Sequence, residues 1–368
     1  MALAFLVYFS ALALLFFFLF PILVNKNDII VKKYYVAINY IFPIMMVTLL
    51  FGLRYGVGDD FFSYKSLYEN FEMESSRLEY LYSLLATLLR NLNFPYYMMN
   101  TVIILLTFVF IYLFLNKVNF IDRRIVLFFY FVCGFLIKAL NIQRHAVAIA
   151  IFLYALTYLY KRNFLAYSFF LIIAAGFHIS ILSLLPFYVV FPFFLKKKTY
   201  LIQNRILLVI ITILIMLFHK NIFSYFMDNI LQIVSLTPYG LHGIWIFMDI
   251  AGTGSGVGII LTFVSGIICI LYSDKLYIAY NKYFGMLFFM FLFGLWGEIL
   301  SDHYIYFLRF IEPFSTLRII IYSMLVIYLL KSKKMMNLIV AISFIFIYIG
   351  YFAGQILLRG SYNFVFGT

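Results

Sequence analysis

The sequence predicts an all-α polytopic membrane protein, a single domain over 1–368 with about twelve transmembrane helices. Three observations predict it. Of the 368 residues, 66% are hydrophobic and 11% charged, where a soluble fold carries roughly a quarter charged residues. Apolar runs of about 15 to 25 residues recur from end to end, the length at which a helix crosses a bilayer. The net charge of +13 is gathered into short clusters between those runs, the mark of cytoplasmic loops rather than of a nucleic-acid surface. No internal repeat or linker divides the chain. Cys133 and Cys269 lie inside apolar runs and read as small buried residues, silent about redox compartment.

Six basic clusters set the threading: Lys26/Lys32/Lys33, Lys117/Arg123/Arg124, Lys161/Arg162, Lys196/Lys197/Lys198/Arg205, Lys275/Lys282 and Lys331/Lys333/Lys334. With all six on the cytoplasmic side, an even number of crossings separates each from the next. Spans at 2–24, 34–53, 95–116, 125–140, 146–160, 164–177, 178–194, 206–218, 257–272, 283–300, 304–330 and 335–356 meet that condition, with both termini outside. The first run is too long for a signal-peptide core and lacks a basic start and a small-residue cleavage site, so it reads as a retained span.

Residues 76–92 are helical in pattern but excluded as a span. Glu79, Ser83, Thr87 and Arg90 share one face, and Leu81, Leu85, Leu88 and Leu92 the other. That stripe suits an interfacial or re-entrant helix. Runs 125–140 and 146–160 reach only about 24 and 22 Å as helices, against a hydrocarbon core of about 30 Å. The turn between them, Asn141 to His145, is therefore expected below the outer surface, as is the turn near His178. Polar backbone at that depth lines a wet cavity or is buried in protein. Residues 219–256 read as a large outer loop. Its Gly252–Gly258 run lacks the Lys-Ser/Thr and the preceding strand of a phosphate loop and reads as a flexible turn.

The polar residues gather toward the outer side of this threading. Arg54, Asp59 and Asp60 end the second span. Lys138, Asn141, Gln143, Arg144 and His145 sit at the first recessed turn, and His178 at the second. Glu298, Asp302, His303, Arg309, Glu312 and Arg318 lie around the eleventh span. Each has a plain structural reading: Lys138 snorkels, Arg309 pairs with Glu312, and the histidines fill the core. Together they bring arginine, imidazole and carboxylate to one side, and intramembrane ionisable groups face cavities and act there. Arginines below an outer leaflet suit a lipid-linked phosphate or pyrophosphate.

Three segments carry a likeness to a known family. Arg54-Tyr55-Gly56-Val57-Gly58-Asp59-Asp60-Phe61-Phe62-Ser63-Tyr64 resembles the R-x-x-V-G-T-D-Y-x-x-Y stretch of the EpsG-like polymerases, a branch of the Wzy-type O-antigen and capsular polysaccharide polymerases. Asn141-Ile142-Gln143-Arg144-His145-Ala146-Val147-Ala148 is similar to their N-x-x-R-Q-x-x-A segment, and Phe177-His178-Ile179-Ser180 to their F-H-x-S segment. Glu79-Tyr80 resembles the acidic-aromatic pair between them, and Arg309 falls where a late arginine is expected. Asp59 replaces the threonine before the motif acid, so Asp60 is the match. Phe61 replaces a tyrosine, and His145 the glutamine after the motif arginine.

The resemblance implies a membrane glycosyltransferase in the bacterial cytoplasmic (inner) membrane, its active site facing the periplasm or cell exterior. It would move a growing glycan from undecaprenyl pyrophosphate onto the next lipid-linked repeat unit. Its partners would be undecaprenyl-pyrophosphate-linked oligosaccharide repeat units, membrane lipids and a chain-length regulator, with no nucleic acid. Such transfer needs cations for the leaving pyrophosphate and a base for the acceptor hydroxyl. Arg144 and Arg309 are assigned to the pyrophosphate; Arg54 either joins them or pairs with Asp60 to shape its loop. Tyr64, Gln143 and His145 are added as substrate-binding candidates. His178 is the preferred base because an imidazole titrates near neutral pH, with Asp60 and Asp302 as alternatives. The scheme requires no metal and no cofactor.

Three further readings compete. A single-sugar polyprenyl-phosphate-dependent transferase would use Asp59-Asp60 and add one sugar rather than a distribution of repeats. A lipid-linked oligosaccharide flippase or other transporter would show internal repeats and midplane sites. An outer-face O-acyltransferase is a more distant reading.

Overall fold

The computed structural model describes residues 2–18, 41–70, 79–118, 121–196, 204–235, 256–301, 305–359 and 363–364. Sixteen α-helices and one 3-10 helix hold nearly all of them. The sheet among the described residues is one antiparallel pair, Arg54–Tyr55 against Asn363–Phe364. The chain falls into two compact units, Met1–Leu185 with Ile345–Thr368, and Pro186–Phe344.

Four described helices are long and apolar enough to cross a membrane: Tyr96–Lys117, Arg205–Ile222, Phe307–Lys331 and Met335–Leu358. Two bent pairs raise the number to six. Other apolar helices, such as Phe42–Gly52 and Phe164–Ala175, fall within expected spans and have 10–17 described residues. The described helices thus supply four to six crossings by length and composition, where twelve were expected. Two of the expected spans are broken within the described residues. Gly134, at φ +82°, separates Arg123–Val132 from Phe135–Asn141 with a bend of 60°. A Cβ there would stand 2.3 Å from the side-chain oxygen of Gln355, the movable end of a long side chain, so it is the left-handed backbone that calls for glycine. The expected span 178–194 is the 3-10 turn Ile179–Leu184 followed by Phe187–Lys196, which carries Pro192.

The expected helix at 76–92 is present as Tyr80–Asn91. The loop expected at 219–256 is in part a correction: Arg205–Ser235 is one helix, because the mixed polarity after His219 is compatible with continued helical geometry. Residues 236–255, most of the glycine run included, lie outside the described residues.

In the first unit, the Gln143–Tyr160 helix is buried nearly all round, from Ala146 through Leu156, so it is a core helix. It packs between Tyr96–Lys117 and Phe164–Ala175. The Phe164–Ala175 helix leaves Leu165, Phe169 and Ile172 exposed, as a lipid-facing surface requires.

The loop after Phe42–Gly52 is fixed from inside by Arg54, which is fully buried. Its Nη1 donates to the Phe51 carbonyl (2.7 Å), Nε to Val57 (3.2 Å) and Nη2 to Leu140 (2.9 Å). One guanidinium therefore ties the loop to itself and to the turn 86 residues later. The loop lies so close to that turn that a Cβ on Gly58 (φ +101°) would stand 2.8 Å from Asn141 Oδ1. Asn141 in turn accepts from the Asp60 backbone N–H (3.4 Å) and donates to the Asp59 carboxylate (2.9 Å).

In the second unit the backbones of Ser273–Leu300 and Ile305–Ser315 meet at Gly294, where a Cβ would stand 2.5 Å from the Phe314 carbonyl carbon. Buried Arg318 donates to Glu298 Oε2 (2.5 Å), Thr262 Oγ1 (2.8 Å) and the Ser315 carbonyl (3.1 Å).

Removing the Arg54 fork strands three carbonyls, two of them more than 80 residues apart in sequence. Arg54→Ala is expected to cost about 3 kcal/mol or more, read as a lowered thermal midpoint of the protein in detergent. Arg54→Lys, a point donor without the fork, should recover only part of it. An unchanged midpoint would remove the clamp.

Candidate active site

The candidate site of the first unit is built where three chain segments meet. The first is the start of the Tyr80–Asn91 helix. Its Leu81 and Tyr82 N–H groups, which a helix start leaves without partners of its own, both donate to the Gly176 carbonyl (2.8 and 3.2 Å). A Cβ on Gly176 would stand 2.4 Å from Leu81 Cγ, so this docking needs glycine. It places Glu79, just before the helix, beside the second segment, Phe177-His178. His178 is extended (φ −159°, ψ 112°) between Phe164–Ala175 and the 3-10 turn. The third segment is the first turn of Gln143–Tyr160, entered through the break at Ile142.

Consecutive residues of a helix point about 100° apart, and this first turn uses that spread. Gln143 points into the core, where its Nε2 donates to the Tyr96 hydroxyl (3.2 Å). Arg144 points at Glu79 and pairs with Glu79 Oε2 through Nη1. His145, buried, points at His178, with ring centroids 4.5 Å apart.

Glu79 is the bridge. One carboxylate oxygen takes Arg144, and the other lies 3.0 Å from His178 Nδ1. Burial raises the Glu79 pKa, but the His178 hydrogen bond and the Arg144 charge lower it further, so it ionises below its ordinary range. An ionised carboxylate only accepts. The proton of that hydrogen bond therefore sits on His178 Nδ1, and a neutral imidazole has its lone pair on Nε2. The Arg144 guanidinium also lies 5.8 Å from the Tyr64 ring centroid and 5.6 Å from that of Tyr82, within cation–π range. These contacts leave 22% of the Arg144 side chain and 15% of the Glu79 and His178 side chains exposed, so solvent or a ligand reaches all three.

Of the residues expected at the site, the structure brings together Arg144, His145, His178 and Tyr64. Gln143 adjoins them but faces inward. Asp60 stands on the neighbouring loop, its backbone held by Asn141. Arg54 shapes the loop, donating to the carbonyls of Phe51, Val57 and Leu140, and is fully buried. Arg309 belongs to the second unit, on the Ile305–Ser315 helix. Asp302 and His303 lie outside the described residues. Two residues had no assigned role. Glu79 stood out as the acid of an acidic-aromatic pair on a polar helix face, and Tyr82 had no signal apart from its place one turn along.

A family model described as the EpsG family matches residues 37–365, most of the chain. No curated protein and no solved structure matches it.

Because the folded Glu79 pKa is lowered, its pairing stabilises the protein at pH values above the ordinary carboxylate pKa. That stability is lost as pH falls through the lower, folded value. Glu79→Gln is expected to lose about 2 kcal/mol at neutral pH, and the gap from the parent should close only in acid below the ordinary carboxylate range. Thermal midpoints of both proteins across pH measure this; a gap independent of pH would contradict the ionised bridge.

Proposed function

Because the chain belongs to the EpsG family, multi-pass membrane proteins of the polysaccharide-polymerase type, we propose that it transfers a growing glycan from undecaprenyl pyrophosphate to the next lipid-linked repeat unit. The transfer is placed on the outer face of the bacterial inner membrane, the side to which the basic-cluster threading assigns Glu79, Arg144 and His178. The observation that carries the reading is the Glu79 carboxylate holding a cation on one oxygen and an imidazole on the other.

That arrangement suits the chemistry. The acceptor hydroxyl oxygen attacks the anomeric carbon of the donor sugar, and its proton passes to His178 Nε2. The bond from that carbon to the pyrophosphate oxygen breaks, and undecaprenyl pyrophosphate leaves with the electron pair. Glu79 orients the imidazole through Nδ1 and offsets the positive charge that forms on it, the service a carboxylate gives a catalytic histidine elsewhere. Arg144 is held in place by Glu79, Tyr64 and Tyr82 before the substrate arrives, so its remaining donors meet the developing pyrophosphate charge without reorganisation. His145 walls one side of the His178 ring.

His178→Gln and Arg144→Ala should each leave normal amounts of protein in the membrane and collapse the polysaccharide ladder toward single repeat units. For His178→Gln the rate of extension should fall about 100-fold or more. Full ladders from both variants would end the reading. Deletion should leave single repeat units on the outer face; cytoplasm-facing units would instead indicate a flippase.

A further inference from the structure

A cavity of about 220 Å³ opens beside the site, within the first unit. It is lined by Tyr55, Phe61, Pro95, Tyr96 and Tyr97, with Lys65 and Glu69. We propose that it is a subsite for one neutral sugar ring, a pyranose of the lipid-linked oligosaccharide. The proposal rests on the glycan-transfer reading for the identity of the oligosaccharide and on the cavity itself for the sugar.

Three features select that occupant. The volume is below the roughly 300–1,000 Å³ of sites for drug-sized ligands, so it holds a single ring and not a whole repeat unit. Four of the seven lining residues are aromatic, an aromatic ring carries negative quadrupole on its face, and the axial C–H groups of a pyranose are the weakly positive, apolar counterpart to such a face. The charged groups form a balanced couple. Lys65 Nζ lies 3.7 Å from Glu69 Oε1 and 5.5 Å from the Tyr55 ring centroid. An anion would meet the carboxylate and a cation the ammonium, while an acyl chain would strand both. Vicinal hydroxyls, each a donor and an acceptor, match one amine and one carboxylate side by side.

The cavity is joined to the site on two sides. Phe61, Lys65 and Glu69 lie at intervals of four on one stripe of the Phe61–Glu69 helix. Tyr64, on the adjacent stripe, faces Arg144. On the other wall the Tyr96 hydroxyl accepts from Gln143, the residue before Arg144. A sugar seated here is thus one residue removed, along either wall, from the groups that would act on its neighbour. This also gives the inward-facing Gln143 a purpose: it orients a wall of the subsite.

The test uses the full chain in lipid nanodiscs and saturation-transfer NMR with three probes: methyl β-glucopyranoside, methyl β-galactopyranoside and N-acetylglucosamine. At least one should receive saturation, with apparent affinity falling about fivefold or more in Tyr97→Ala and in Glu69→Gln, the scale of one lost contact. His178→Gln should bind it unchanged. No transfer to any probe, or equal transfer in both cavity variants, would overturn the subsite. The polysaccharide ladder of cells carrying His178→Gln separates the two ideas. A collapsed ladder without glycoside binding removes the subsite alone, and glycoside binding with full ladders from both His178→Gln and Arg144→Ala removes the transfer reading alone.

Discussion

The first unit depends on one carboxylate. Glu79 is bonded to residues 65 and 99 positions further along the chain, so three segments remote in sequence are referred to a single point. A largely desolvated carboxylate is costly unless its oxygens are satisfied, and here each oxygen has a charged or polar donor. The cost is what gives the arrangement its specificity. Moving the Tyr80–Asn91 helix by one residue would lose both partners and leave a buried charge. The Gly176 carbonyl, which receives two N–H groups of that helix, fixes the same register through backbone alone. Side-chain electrostatics and backbone hydrogen bonding therefore agree on one docking.

A second constraint supports the first from the other side. Arg54 holds the loop 53–60 against the Leu140 carbonyl, and Leu140 lies four residues before Arg144. Asn141 extends the contact to Asp59 and Asp60. The helix that begins at Gln143 thus has its first turn positioned by two arginines with opposite duties. Arg54 faces carbonyls and is closed off; Arg144 faces a carboxylate and two aromatic rings and keeps part of its surface open. A guanidinium is suited to both because it stays charged in either setting and presents its donors as a fork.

This division explains what could be read from residue types and what could not. Apolar runs located most helices, since burial or lipid contact dictates their composition over many residues. Turns at Asn141–His145 and near His178 were expected from the short apolar runs on either side, and the structure has helix breaks at both. The meeting of Arg144 with His178 followed from their common side in the threading. Arg54 was less transparent, because an arginine beside glycines and acids has the same composition whether its fork meets phosphate or peptide carbonyls. Glu79 went unassigned because its function lies in what it joins, and nothing within residues 76–92 specifies partners at 144 and 178. The break within the 125–140 span went unread for a related reason: hydropathy averages over a window and does not register the single left-handed Gly134 that splits it.

The most direct measurement is the tautomer of His178. The chain, labelled with 15N-histidine and held in lipid bilayers, contains five histidines, and the resonances lost in His178→Gln identify the ring in question. An ionised Glu79 on Nδ1 predicts a protonated Nδ1 and a bare Nε2 in the neutral ring, with Glu79→Gln shifting that balance. A neutral ring protonated on Nε2, unchanged by Glu79→Gln, would contradict the carboxylate bridge and the catalytic role built on it.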